Sequence, residues 1–490
     1  MKEKACILAC GQSSALGSIP VTGIDKLRKE VVEKVERGAR LSALTAYGNP
    51  SGTPVLLAAL SHPSTGKLEI LRAETGTSYR SLTPECPSAH LFERLILEKW
   101  GIVPDGHPMP EPVRYPAGNP GTATFLSIPG GITHEVAVGP VHAGVIEPGH
   151  FRFQCHGETV KHLDISLGYQ HRGIEDMITA SPPNRVLHYM ETAAGDSTVG
   201  HTIAHCLARE SLSGTTVPAR GESLRGIALE LERLANHIGD IGAISGDVGF
   251  LPTKDYCGRI RGDVLNLTAV LCGNRFGRGL IVPGGTASEA TGDDISEISS
   301  RLRLIERDTT NAIELMLGTP SVITRLEGTG TVTGDTAVKL GLVGVAARGS
   351  GVATDVRNEF PFGIYRFAQI PVCTWASGDC FARTCVRWLE VRQSFRFLRE
   401  QLDSLPGGPE RNHELPMQPD MVTVALTEGW RGEVCHIAAT DRSGDLAWYR
   451  IFDPSVHNWH GLAMAMREEE ISDFPLCNKS FNLSYCGHDL

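Results

Sequence analysis

Apolar residues in the second half of the chain recur with the spacing of amphipathic helices. Within residues 224–241 they step by three and four positions, which lays one apolar stripe along a helix. The same spacing recurs in 295–316, which Gly318 and Pro320 then terminate, and again in 381–402. Three long stripes of this kind predict a helical core for the larger, C-terminal part of the chain.

The N-terminal part combines helical and strand patterns. Helices are predicted over 22–38 and 89–100, and strands over 55–60 and 68–71. The sequence therefore predicts an α+β fold, with a small N-terminal α+β domain and a larger, mainly helical domain that carries peripheral β-sheets. Later apolar runs predict the strands of those sheets, at 125–138, 151–164, 422–426, 434–438 and 447–452.

Proline and glycine are concentrated between the two parts. Six prolines lie between positions 104 and 120, with glycines among them. This density favours an extended linker. We therefore predict a first domain over 1–112, a linker over 113–124 and a second domain over 125–490.

Charge and cysteine usage exclude several classes of site. The formal net charge is −10 and no long basic run occurs, so nucleic acid binding is not expected. The 13 cysteines are scattered and no Cys-x-x-Cys pair occurs. We therefore expect no disulfide framework, and no zinc ion or iron–sulfur cluster held by this chain alone.

The hydropathy of the chain predicts the location of the protein in the cell. No run of about 18 apolar residues occurs, so no transmembrane helix is predicted. The apolar stretch over residues 5–9 is too short for the core of a signal peptide. We expect a cytoplasmic protein that docks on a membrane partner.

Two blocks of motifs resemble subunits of respiratory complex I. Phe92-Glu93-Arg94, Trp100-Gly101-Ile102 and Gly106-His107-Pro108 are similar to the signature of the 30 kDa subunit. A second block is similar to the 49 kDa subunit. Its segments are 139–142, 149–153, 168–175, 230–233, 347–351, 355–357, 378–379, 453–455 and 458–459.

The presence of both blocks in one chain points to one branch of this family. Both blocks in one chain are typical of the large subunit of energy-converting nickel–iron hydrogenases, of the formate hydrogenlyase and hydrogenase-4 type. The resemblance implies a domain similar to the first of these complex I subunits over 1–112. It implies a domain similar to the second, or to a hydrogenase large subunit, over 125–490.

The residues that should hold the metal are missing. A nickel–iron site needs four thiolates, because soft sulfur ligands hold nickel and bridge to iron. The resemblance assigns those ligands to Ala194, Ser197, Ser484 and Gly487, none of which is cysteine. Cys486 is one residue away, and one thiolate does not replace four. The resemblance therefore implies no metal in the usual place and no hydrogen activation.

The segment from His171 to Glu175 keeps its family pattern. In complex I relatives the equivalent of Arg172 lies against the iron–sulfur cluster of a partner subunit, where a permanent positive charge favours the reduced cluster. In hydrogenases the equivalent of Glu175 passes protons, as a carboxylate with a raised pKa in a dry cleft is able to do. Asp196 is a further candidate, for hydrating or protonating the cavity. The alternative is that Arg172 and Glu175 form a structural ion pair.

Quinone chemistry has its own candidates. In complex I a tyrosine in the loop equivalent to 191–197 donates a hydrogen bond to the quinone, and by ungapped counting it falls on Gly195. The partner histidine follows Gly-Pro, where His142 and His150 are candidates. The resemblance thus implies a quinone cavity that lacks its tyrosine.

Two functions remain open at this point. The chain is either a working component of a complex I-like oxidoreductase or a non-catalytic scaffold on a membrane arm. Both imply a small iron–sulfur subunit similar to that of complex I, which holds a 4Fe-4S cluster, and membrane subunits that translocate ions. The resemblance places the chain on the cytoplasmic face of the inner membrane, with no cofactor of its own.

Overall fold

A computed structural model describes residues 6–48, 52–115, 120, 124–128, 131–142 and 146–490. The N-terminal part is an antiparallel sheet of order β1-β6-β5-β4, with β3 parallel to β6 and two helices beside it. Its elements are β1 (Cys6–Leu8), β2 (Ser13–Ala15), β3 (Val21–Gly23), α1 (Ile24–Glu36), β4 (Arg40–Tyr47), β5 (Val55–His62), β6 (Lys67–Glu74), β7 (Ser78–Arg80), α2 (His90–Trp100) and β8 (Val103–Asp105). The predicted helices and strands of this part are confirmed.

The larger part begins with a three-stranded sheet of order β11-β10-β9 and continues as packed helices. Its elements are β9 (His134–Val138), β10 (His150–His156), β11 (Thr159–Ser166), α3 (Ile174–Ala180), α4 (Pro183–Ala193), α5 (Thr198–Ser213), α6 (Ala219–Asp247), α7 (Leu251–Cys272), the hairpin β12 (Ile281–Val282) and β13 (Gly285–Thr286), α8 (Gly292–Leu317), α9 (Pro320–Leu326), α10 (Gly334–Leu340), α11 (Gly344–Gly349), α12 (Val356–Glu359) and α13 (Cys380–Asp403).

The last part of the chain returns to the N-terminus. Strands β14 (Met421–Gly429), β15 (Gly432–Thr440) and β16 (Leu446–Phe452) precede helices α14 (Pro454–Ala465), α15 (Phe474–Phe481) and α16 (Tyr485–Asp489). Their sheet has the order β16-β15-β14-β2, so a strand from residues 13–15 completes it. The N-terminal segment is therefore built into the larger part as well as into its own sheet.

The three predicted stripes are confirmed as α6, α8 and α13. Helix α6 is more buried than one stripe implies, because Glu230, Arg233 and His237 on it are also inaccessible to solvent. Helix α7 was not predicted, although its buried apolar residues 257, 260, 264, 267 and 271 also step by three and four positions. The fold is thus the predicted mixed α+β architecture with a helical core.

One predicted strand differs from the structure, and the predicted domain bounds and linker stay a prediction. Residues 125–128 are not in a strand, and β9 begins only at His134. Val113, Arg114 and Tyr115, at the start of the predicted linker, are buried, and Glu98 accepts from the backbone of the last two at 2.9 and 2.5 Å. The linker positions 116–119 and 121–123 lie outside the described residues. Among the helices described, none has both the length and the apolarity needed to cross a membrane.

Candidate functional site

Arg172 connects the end of α4 with α16, the two segments to which the resemblance assigns the metal ligands of hydrogenases. Its guanidinium donates to the carbonyls of Thr192 at 2.7 Å and Ala193 at 2.9 Å, where α4 ends. It also donates to the carbonyl of Cys486 in α16 at 2.9 Å. The side chain nevertheless stays exposed to solvent. One cation thus joins both halves of the site and remains accessible from outside.

The backbone around Arg172 strengthens this junction. His171 donates through Nδ1 to the Asp489 carbonyl at 2.8 Å. The Asp489 carboxylate accepts from the backbone of Gly168 and Gln170, each at 2.9 Å. His171 therefore orients α16 against the segment 168–175.

Glu175 is buried in the first turn of α3 and faces three cations. Its carboxylate oxygens lie 3.2 Å from Lys99 Nζ, 3.7 Å from Arg114 Nη1 and 3.9 Å from Arg450 Nη1. Burial favours the neutral acid, but the charges of Arg450, Arg114 and Lys99 outweigh it and lower the pKa of Glu175 to about 2. The expectation of a raised pKa is wrong, because the cleft that excludes water also holds these cations.

Asp196 is ion-paired across the site. Its carboxylate accepts from Arg431 at 2.6 and 2.8 Å in a bidentate arrangement, and Arg431 stacks on the Trp430 ring. A cavity of about 430 Å³ lies beside this pair. Its lining includes Ile146, Glu147, Asp196, Arg431, Lys479 and Tyr485.

The four positions expected to hold nickel do not form a ligand set. Ala194 is apolar and fully buried, and the Ser484 hydroxyl accepts from the Gly487 backbone at 2.9 Å as the cap of α16. A Cβ atom on Gly487 would lie only 2.7 Å from Asp453 Oδ2. These residues do not fit a nickel–iron centre, which requires four thiolates.

Cys486 does not compensate for the missing ligands. Its backbone donates to Glu147 at 2.9 Å, and burial together with that carboxylate raises the pKa of its thiol to about 11. The thiol is therefore protonated near neutral pH, and the thiolate is the form that binds metal. Within the described residues, no group of three or more His, Cys, Asp or Glu side chains is arranged to hold a metal ion.

Two carboxylates that sequence reasoning missed line the site. Burial raises the pKa of Glu147, which belongs to the same Gly/Pro-rich loop as the candidate histidines. Glu232 on α6 accepts from the Val199 and Gly200 backbones at the start of α5, and burial raises its pKa to about 8 against those two hydrogen bonds. The Glu-x-Glu-Arg motif was the sequence signal for Glu232, because charged residues within a helix of the core need partners. Glu232 is therefore a candidate for proton exchange near neutral pH.

The two candidate quinone histidines lie elsewhere. His142 Nε2 donates to the Gly149 carbonyl at 2.8 Å within its own loop. His150 begins β10 and packs against the Phe125 ring. Neither is among the described residues that line the 430 Å³ cavity, where Glu147, between them in sequence, is present instead.

Restoring one missing ligand tests this account of the site. We expect Gly487→Cys to destabilise the protein by about 1–3 kcal/mol and to bind no nickel, because the new Cβ crowds Asp453. Asp453 has little freedom to move, since it accepts from the Ser455 backbone at 2.8 Å and contacts His201. Urea denaturation measures the change.

The matched control is Gly195→Cys, where no atom lies within 4 Å of the added Cβ. We expect a change within about 0.5 kcal/mol there. A denaturation midpoint for Gly487→Cys equal to that of the unmodified protein would show that the space beside Asp453 is not restricted.

Comparison with known proteins shows to which family the chain belongs. Residues 247–423 match the family described as the 49 Kd subunit of the respiratory-chain NADH dehydrogenase. The carbon monoxide-induced hydrogenase of Rhodospirillum rubrum is 32% identical over 356 residues, which cover 71% of this chain and 97% of that protein.

Two further relatives represent the two branches of the family. Formate hydrogenlyase subunit 5 of Escherichia coli K12 is 28% identical, over 84% of this chain and 77% of the relative. A subunit of the NADH-quinone oxidoreductase of Akkermansia muciniphila is 28% identical, over 75% of this chain and 95% of the relative. The chain therefore belongs to the family that unites the 49 kDa subunit of respiratory-chain NADH dehydrogenase with the related hydrogenase large subunits, and it lacks the nickel-ligand cysteines of the hydrogenases.

Proposed function

We propose that this chain is a subunit of a membrane-associated, complex I-like oxidoreductase. In that complex it passes electrons between a 4Fe-4S cluster of a small partner subunit and a quinone in the cavity, without nickel–iron chemistry. The complex sits on the cytoplasmic face of the inner membrane, and membrane subunits couple the reaction to ion translocation. This proposal draws on the names of the relatives, which include a hydrogenase and quinone oxidoreductase subunits.

The observation that carries the proposal is the placement of Arg172. It is exposed, yet three carbonyl acceptors at 2.7–2.9 Å hold its guanidinium in one orientation. A fixed, accessible cation at this junction suits contact with a reduced, negatively charged cluster on another subunit.

The groups around the cavity suit an acceptor that takes up protons. Reducing a quinone to its quinol consumes two electrons and two protons. Glu147 lines the cavity with a raised pKa, so its carboxyl holds a proton at a higher pH than an ordinary glutamate does. The Asp196–Arg431 pair supplies fixed hydrogen-bonding groups on the same wall.

The test uses the intact complex purified from its host. We expect saturable, quinone-dependent oxidation of a reduced electron donor, and nickel far below one ion per chain by elemental analysis. Arg172→Ala should slow turnover at least about tenfold, since its loss removes three hydrogen bonds of a charged group. It should also shift the reduction potential of the cluster to a more negative value. For a one-electron couple, a shift of about 59 mV corresponds to a tenfold change in the equilibrium constant.

Arg185→Ala is the matched control, because Arg185 is an exposed arginine on the adjacent helix α4. We expect it to leave both turnover and potential unchanged. Absence of both quinone turnover and saturable quinone binding would instead identify the chain as a scaffold subunit. Stoichiometric nickel would contradict the assignment of the ligand positions.

A further inference from the structure

A buried arginine of the N-terminal part has no ionic partner. Arg94 on α2 is 7% exposed. Its guanidinium donates to the carbonyls of Glu111 at 2.6 Å and Pro112 at 2.9 Å, and lies 3.3 Å from His90 Nε2. Within the described residues, no carboxylate oxygen comes within 4 Å of its nitrogens. Since buried charges in proteins are normally paired, this cation lacks its usual compensation.

The guanidinium of Arg94 also has hydrogen-bond donors to spare. An arginine offers five N–H groups, one at Nε and two at each Nη. Glu111, His90 and Pro112 engage one group at each of the three nitrogens, which leaves one N–H at each Nη without an acceptor among the described residues. Burial lowers the pKa of Arg94, and the more distant acids around it do not cancel that shift. The chain therefore stabilises this charge incompletely.

Arg94 lines a cavity of about 90 Å³ between α2, β11 and α14. None of the described residues that line it also lines the 430 Å³ cavity beside Asp196. His460 and Arg467 belong to its lining and are exposed, so they mark the side that is open to solvent. The cavity is thus a separate recess that small solutes are able to reach.

Positive charges outnumber negative ones in the lining of this recess. Arg94 and Arg467 are its two arginines, and Arg467 has no ion pair in the part of the chain that the structure describes. The one carboxylate among the described lining residues belongs to Asp164. It is already engaged, because it lies 2.8 Å from His162 Nε2 and accepts from the Leu126 backbone at 2.8 Å. Trp459 also lines the recess, and its indole N–H has no acceptor among the described residues.

The histidines at the recess reflect this excess of positive charge. Burial, Arg94 and the neighbouring His460 and His107 hold the pKa of His90 well below its usual range. The centroid of the His90 ring lies 5.0 Å from that of His460 and 5.1 Å from that of His107. A nearby acid would raise this pKa. Because the groups that shift His90 all lower it, the surroundings carry a positive potential without a counter-ion.

We propose that this recess binds a small oxyanion of the phosphate type. The ion would accept from the spare N–H groups of Arg94 and from Arg467 at the open side. Guanidinium groups bind phosphate oxygens through parallel hydrogen bonds, and a tetrahedral ion offers acceptors in several directions to donors from separate elements. A volume of about 90 Å³ accommodates a few water-sized groups, which suits such an ion and excludes a whole nucleotide.

The site is independent of the redox reaction. Its occupant would join α2 of the N-terminal part to the segment that follows α14, because Arg94 and Arg467 belong to these two places. An ion that binds the folded chain and not the unfolded one stabilises the fold in proportion to its occupancy. Phosphate should therefore raise the midpoint of thermal unfolding.

Calorimetric titration of the full-length chain with inorganic phosphate tests the site. At low ionic strength we expect a dissociation constant of about 1 mM or below. Arg467→Gln should weaken binding about tenfold, because it removes charge-assisted hydrogen bonds at the open side. Arg94→Met should abolish binding, and circular dichroism shows whether this variant folds. If it does not fold, Arg467→Gln decides the question.

Arg303→Gln is the matched control. Arg303 on α8 is also an exposed arginine without an ion pair in the described part of the chain, and it does not line the recess. We expect it to leave the affinity unchanged. Absence of binding by the unmodified chain up to about 20 mM phosphate would overturn the proposal. Equal affinities of Arg467→Gln and the unmodified chain would overturn it as well.

Glycerol phosphate and acetate, as further probes, define the ligand. Glycerol phosphate that binds at least as tightly as inorganic phosphate would show that the recess takes a phosphate ester whose remainder stays outside. Weaker binding of glycerol phosphate would show that it takes the free ion, and both results support the site. Acetate that binds more tightly than either would contradict the assignment to a phosphate-type ion.

Discussion

Glu390→Gln is expected to destabilise the protein by about 3–5 kcal/mol, because it removes a buried carboxylate that Arg348 and Arg233 share. Arg348 keeps Glu428 and Arg233 keeps Glu230, but part of their buried charge is then uncompensated. Glu390 on α13 is 1% exposed and accepts from Arg348 Nε at 2.8 Å. It also pairs with Arg233 and lies 3.0 Å from His237 on α6. The free energy of unfolding, from urea denaturation monitored by circular dichroism, measures the loss.

Glu400→Gln is the matched control on the same helix. Glu400 pairs with Arg396 at 2.8 Å, but both side chains are more than half exposed. We expect a change of at most about 0.5 kcal/mol, since solvent screens such a pair. Equal losses in the two variants would show that the buried network does not depend on the charge of Glu390.

Glu175→Gln is expected to remove about 3 kcal/mol of stability at pH 7 and much less near pH 2. The pKa of Glu175 falls from the usual 4.5 to about 2 in the folded protein. Since the folded state holds this proton less tightly than the unfolded state, its stabilising effect is fully present above about pH 5 and is lost as the pH falls toward 2. The free energy of unfolding, measured at a series of pH values, should therefore fall less steeply from pH 5 to pH 2 in the variant than in the unmodified protein.

The neighbouring Asp176→Asn serves as the control. Asp176 also pairs with Lys99, at 2.8 Å, but its side chain is 77% exposed. We expect its free energy of unfolding at pH 7 to change by less than about 1 kcal/mol. The fall of that free energy between pH 5 and pH 2 should match that of the unmodified protein. If Glu175→Gln and the unmodified protein lose stability in parallel from pH 5 to pH 2, Glu175 is not held ionised by its three cations.

The sequence was sufficient where a property depends on neighbours along the chain. The apolar stripes of α6, α8 and α13 repeat every three to four residues, so their helices are predictable without a partner. Helix α7 repeats the same spacing at residues 257, 260, 264, 267 and 271, so it was predictable on the same ground, although it was not predicted.

The same distinction applies to the site, where the residue types are visible in the sequence and their ionisation depends on the fold. The resemblance places Ala194 and Gly487 where hydrogenases have cysteine. The sequence alone is enough to exclude them as ligands, since a residue without a ligand atom cannot bind metal through its side chain in any fold. The ionisation of Glu175 was mispredicted, because its cations come from positions 99, 114 and 450, far apart in the chain. Burial alone predicts a raised pKa, and only the positions of those charges reverse the sign.

The sequence by itself determined the family, the mixed α+β class and the loss of the nickel ligands, since each depends on residue types at particular positions. The tertiary structure decided which charged and polar groups meet. It joined Arg172 to α4 and α16, placed three cations on Glu175, and aligned His201 and His205 with strands that are distant in the sequence. Electrostatic and hydrogen-bonding energies depend on distance and burial, and only the folded chain sets these.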